Sequence, residues 1–130
     1  MTEKEERNRL IIETVCQAFN DHDPDAILKH FADDAVWLLS RGTPPDGQIL
    51  HGKKQIREML NLRFSSIPDM AWEIHQHWVG GDRGCSEWTV TGTEKNGNIL
   101  RWLGCDLWNI REDGKIVKKD TYWKYTGHEN

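Results

Sequence analysis

Two dipeptides, Asn96-Gly97 and Asp113-Gly114, most constrain what this chain can fold into. Each lies between apolar runs in the stretch from Ser86 to Tyr125, and both residue types tolerate the positive φ that tight hairpin turns require. Trp88 to Tyr125 therefore reads as an antiparallel meander. Side chains alternate across a strand, so Leu100, Trp102, Gly104, Asp106, Trp108 and Ile110 share one face. Asp106 then stands among tryptophans, where an ionised carboxylate is costly unless it is paired or its pKa rises.

Helical signals come before the meander. Thr2 and Glu5 have the spacing of a capping box, and Leu10, Ile11, Thr14, Val15, Ala18 and Phe19 recur at helical intervals, predicting a first helix that ends near Asn20. Asp23-Pro24 opens a short second helix with Ile27, Leu28 and Phe31 on its apolar side, closed by Asp33 and Asp34. Val36 to Leu39 reads as a buried strand. Arg41 to Gln48, with two prolines and two glycines, reads as a loop bordering an opening. Lys53 to Phe64 is the third helix, and Ala71 to Val79 and Cys85 to Thr93 pair across the turn at Gly80–Gly84. Three helices followed by four strands predict an α+β domain spanning 1–130, with helices covering one face of a curved, mostly antiparallel sheet.

A formal net charge of −4 and a pI near 5.8, with no cluster of Lys and Arg, argue against a nucleic-acid or membrane-surface partner. Three widely spaced cysteines, Cys16, Cys85 and Cys105, suit buried free thiols in a reducing compartment. The charged N-terminus has no signal-peptide core, so a cytoplasmic protein is expected. His75 and His77 stand two apart on one strand without a third ligand at suitable spacing, so no metal is expected. His22, His30, His51 and His128 lie in turns or polar surroundings and read as surface residues. A cone lined by aromatic side chains around one or two polar groups would hold a flat hydrophobic molecule.

Several segments together resemble the NTF2-like superfamily, with its ketosteroid isomerase and SnoaL-like polyketide cyclase branches. They are Phe31-Ala32-Asp33-Asp34-Ala35-Val36-Trp37, His51-Gly52 with Ile56-Arg57, Gly92-Thr93, Cys105-Asp106-Leu107-Trp108, Asp113-Gly114-Lys115-Ile116 and Thr121-Tyr122-Trp123. The resemblance implies an NTF2-like cone, three N-terminal helices on a strongly curved sheet, and a homodimer through the outer sheet face.

By the same resemblance Asp106 matches the protonated aspartic acid that donates a hydrogen bond to a substrate oxyanion in ketosteroid isomerase. The isomerase base falls on Leu39 and its oxyanion-hole tyrosine on Val15, neither of which moves protons. His77, in a segment similar to that bearing the catalytic histidine of scytalone dehydratase, is the candidate base, with Asn20 where relatives carry an orienting Asp. Glu73, His75, His77 and Val79 are expected on one face. The implied substrate-binding set is Asn20, Trp37, Trp88, Val90, Trp108, Thr121 and Trp123. Lys119 also faces the pocket, Asp120 and Glu87 face away, and Trp72, Trp78 and Trp102 belong to core or dimer interface. The expected function is cofactor-free proton transfer, by His77 and Asp106, on a small hydrophobic carbonyl- or hydroxyl-bearing molecule: isomerisation, dehydration or cyclisation. The alternative is a ligand-binding or dimeric assembly module without chemistry.

Overall fold

The computed structural model describes residues 1–127; His128 lies outside the described residues. In chain order the elements are α1 (Glu3–Asn20), α2 (Pro24–Leu28), β1 (Phe31–Leu38), β2 (Ile49–His51), α3 (Gly52–Ser66), β3 (Ala71–Gly80), β4 (Arg83–Thr93), β5 (Ile99–Ile110) and β6 (Ile116–Trp123). All six strands form one sheet in the order β2-β1-β6-β5-β4-β3. Every pairing is antiparallel except β1 with β6.

Local chemistry accounts for the helices. Thr2 accepts the Glu5 amide while the Glu5 carboxylate accepts that of Thr2, so the capping box starts α1. Asp23 caps α2 through the Ala26 amide, with Pro24 at the first helical position. α1 lays Ile12, Val15, Cys16 and Phe19 on the β3 side of the sheet, and α3 lays Ile56 and Leu60 on β1. The two hairpin turns hold Gly97 and Gly114 at φ of 88° and 85°.

The structure corrects the expected strand count and boundaries. β1 begins at Phe31, so Asp33 and Asp34 do not close α2, which ends at Leu28; both lie exposed in β1, where its register against β6 shifts between Phe31 and Val36. β2, too short to carry a periodic signal, pairs with β1 ahead of α3. A further correction concerns β3. A bulge between Ile74 and Gln76 reverses the alternation, so Trp72 and Ile74 face inward before it and His77 and Val79 after it. His75 is on the outer face, bonded to Thr89 Oγ1 at 2.7 Å, so the two histidines do not share a face and cannot chelate one ion.

Candidate functional site: a layered cone and its mouth

Strand register stacks the inner face in transverse layers. Nearest the mouth, Trp72, Val90 and Trp102 align; beneath them lie Ile74, Trp88, Gly104 and Trp123. The third layer is polar, running His77, Ser86, Asp106, Thr121 across four strands. The fourth is Val79, Gly84, Trp108, Lys119 and Trp37. Of the residues the sequence singled out, Trp37, Trp88, Val90, Trp108, Asp106 and Thr121 are all buried on this inner side.

Within the polar layer each described group has partners. Asp106, 4% exposed, accepts from Lys119 Nζ at 2.8 Å and Thr121 Oγ1 at 2.6 Å on one oxygen, and from Trp88 Nε1 at 3.0 Å on the other. Thr121 in turn accepts from Trp37 Nε1 at 2.9 Å and from Lys119 at 2.9 Å. Burial pushes the Lys119 ammonium below its ordinary pKa, and the Asp106 charge opposes that shift. Asp106 thus accepts three bonds and has a cation beside it. This is a different setting from the one the resemblance implies, because Lys119 Nζ, and not tryptophan alone, stands beside the carboxyl group.

Trp88 reaches Asp106 because residue 104 is glycine. A Cβ there would stand 2.6 Å from the Trp88 ring and 2.5 Å from the Tyr122 carbonyl oxygen.

His77 shares this layer but stands two strands from Asp106, about 10 Å away, with Ser86 between them. Its Nδ1 lies 2.8 Å from Ser86 Oγ, which also accepts from Trp108 Nε1 at 3.0 Å and lies 3.6 Å from Cys16 Sγ. Ser86 and His77 thus share one hydrogen bond, in which the imidazole Nδ1 donates or accepts according to its tautomer. Burial lowers the imidazole pKa, with Glu13 raising it and Arg9 lowering it further. Asn20 makes its side-chain hydrogen bonds elsewhere. Its side chain accepts from the Trp72 amide at 2.7 Å and donates to the Trp72 carbonyl at 2.9 Å, fastening the end of α1 to β3. His22 is half-buried, stacked on Phe64 with centroids 4.3 Å apart and bonded to the Met70 carbonyl, while His51 is exposed as expected.

The open space lies above these layers. A cleft of about 270 Å³ at the mouth is lined by Leu39, Ser40, Arg41 and Gln48 from the loop side, Arg63 and Ile67 from α3, and Met70, Glu94, Leu100, Trp102 and Trp123. Leu39, the position of the isomerase base by resemblance, presents an alkyl chain here. Arg63 lies across the aromatic floor, 5.2 Å from the Trp37 ring centre and 5.5 Å from that of Trp123. Sequence reasoning missed it. The available signal was its place one turn beyond Met59 and Leu60 on the covered side of α3. Arg41 lies over Trp102 at 5.3 Å and Tyr125 at 4.0 Å, and Trp102 Nε1 donates to the Thr126 carbonyl, so the segment after β6 crosses the rim.

Helices on one face of a six-stranded, conical sheet, with an aromatic mouth above a polar layer, define a small-molecule-scale α+β cone. The chain belongs to the SnoaL-like domain family, whose model matches residues 12–119. Among solved structures it is similar to one from Jannaschia sp. CCS1, provisionally described as a SnoaL-like polyketide cyclase (TM-score 0.83, 12% identity, covering 95% of this chain and 90% of that one). It is similar also to a provisionally described polyketide cyclase from Xanthomonas campestris pv. campestris (0.81, 21%, 94% and 93%). A third is TerC co-crystallised with polyporic acid (0.78, 22%, 91% and 92%). At these identities the likeness is one of fold. No curated protein matches the sequence. Among the described residues, no helix is long and apolar enough to cross a membrane.

Proposed function

We propose that the protein binds a small, largely hydrophobic organic molecule in the mouth of the cone, its ring plane against Trp102 and Trp123. One contrast carries this reading: the acids and bases of the interior bond to one another, while the cleft above them offers aromatic and alkyl surface with guanidinium groups at its edge. A relative of the same fold crystallised with polyporic acid supports a ligand of this kind. The test is titration with flat cyclic ketones, enols and aromatic compounds, followed by tryptophan fluorescence and by line broadening in Trp102 and Trp123 indole NMR signals. Saturable quenching that Trp102→Ala abolishes is expected; no saturable response from any compound would overturn it.

Proton-transfer catalysis by His77 and Asp106 is the second reading, and the buried Asp106–Lys119 pair favours it, because an ion pair of this kind is weak as a source of stability. In that reading a ligand moving inward takes the place of one Asp106 donor, and His77 shuttles the proton. Exchange of α-protons in cyclic ketones would fall by orders of magnitude in His77→Ala and in Asp106→Asn; unchanged exchange in either removes that residue from the mechanism. The outer face exposes Trp78, Leu103 and Tyr122 around a hollow of about 550 Å³ and is the surface we assign to a second copy of the chain.

A further inference from the structure

We infer that the ligand of the mouth is an organic anion, an aromatic or cyclic molecule bearing a carboxylate, enolate or phenolate, and that Arg63 is the residue that binds its charged end. The inference rests on the ligand-binding reading above and adds the chemical class of the occupant.

The geometry starts with what Arg63 lacks. Among the described residues no carboxylate oxygen lies within 4.0 Å of its guanidinium, and its close contacts are the faces of Trp37 and Trp123. Stacking on rings satisfies the flat faces of a guanidinium but leaves its N–H edge, which carries the donors, directed elsewhere. A planar fork of donors is shaped for a carboxylate or a pair of ring oxygens. Trp123, whose ring lines the same cleft, has a buried Nε1–H with no acceptor among the described residues.

The charge balance points the same way. Inside the cone Asp106 and Lys119 form an ion pair, while the cleft lining carries two cations, Arg63 and Arg41, against one carboxylate, Glu94, a balance of one positive charge. Burial pulls the Arg63 pKa down to about 10, with Asp106 opposing and Arg41 adding to the shift, so the group remains cationic at neutral pH. Glu94 also lines the cleft, yet the charges that act on Arg63 are those of Asp106 and Arg41. A bound anion would complete this arrangement, and the tryptophans supply the surface for the ring that carries it.

A matched pair of probes tests the inference: 2-naphthoate and its neutral isostere 2-naphthamide, titrated against the full-length protein at neutral pH with tryptophan fluorescence and calorimetry. The naphthoate is expected to bind at least about tenfold more tightly, the size of one hydrogen bond to a charged group. Arg63→Met should erase the preference while still binding both weakly, Arg63→Lys should retain part of it, and Arg41→Gln should leave most of it. Far-UV circular dichroism and thermal unfolding establish that each variant is folded; if Arg63→Met is not, the graded loss between wild type and Arg63→Lys decides the matter. Equal affinity for the two probes, or a preference that survives in Arg63→Met or fails to decline in Arg63→Lys, overturns the anion assignment while leaving the mouth as a ligand site. Binding of neither probe overturns the ligand site and the inference with it.

Discussion

The polar layer and the mouth sit a few ångströms apart on the same strands, yet they treat polarity in opposite ways. In the layer, Asp106, Thr121 and Ser86 each have two or more hydrogen-bond partners. At the mouth, among the described residues, a guanidinium lies on aromatic rings without an ion-pair partner, and the buried Trp123 indole N–H has no acceptor. Buried polar groups bonded to one another hold a fold in one arrangement, whereas polar groups left without partners are available for recognition.

That contrast breaks most decisively at Asp106. Asp106→Ala strands the Lys119 ammonium in a closed apolar space and should lose about 3–5 kcal/mol of stability, measured by urea denaturation. A fully stable variant would mean that the layer is not architectural. Gly104→Ala forces a methyl group into the Trp88 ring and a backbone carbonyl, detaching one Asp106 donor; about 1–3 kcal/mol should be lost, with the Trp88 indole proton shifting in NMR. On the mouth side, Arg63→Met should leave stability within about 1 kcal/mol of wild type, since a desolvated charge without a partner contributes little and an apolar chain of similar length fills its place. A loss as large as that at Asp106 would erase the distinction.

The smallest effect is one of pH. His77 has a folded pKa depressed below 6.5, so below that value the unfolded chain binds a proton that the native ring resists. Its contribution is complete above 6.5 and is lost as pH falls through the lower folded value. Stability should therefore decline on acidification from neutrality before the carboxylates titrate, and His77→Gln should flatten that decline. An unchanged slope would show that burial does not hold the imidazole neutral.

Much of this fold was legible because its signals are local. The Thr2–Glu5 box, the Asp23-Pro24 start and the two glycine turns each act within a few residues, and alternation along β5 correctly put Trp102, Asp106 and Trp108 on one face. Features that depend on distant partners were not legible. The bulge that turns His77 inward and His75 outward arises from pairing with β4, and no periodic pattern in β3 announces it. Asn20 was expected beside His77 by resemblance, but its side chain bonds to the Trp72 backbone of β3. Lys119 was expected in the pocket, yet its union with Asp106 depends on a strand register that a single sequence does not display. Arg63 falls on the covered side of α3 by spacing, but the rings it meets, Trp37 and Trp123, come from distant strands.

The parallel pairing of β1 with β6 has a consequence for how the molecule is made. β1 is synthesised early, but its only interior neighbour is the final strand, more than eighty residues later, so the middle of the sheet cannot be joined until that strand has emerged. The β3–β4–β5 meander can form by short-range hairpins with α1 laid on β3, and β1 can gather β2 and α3, but the two groups stay unjoined until β6 emerges. A chain of this design folds at the pace of one long loop closure, and its early half is the part exposed to mispairing during that wait.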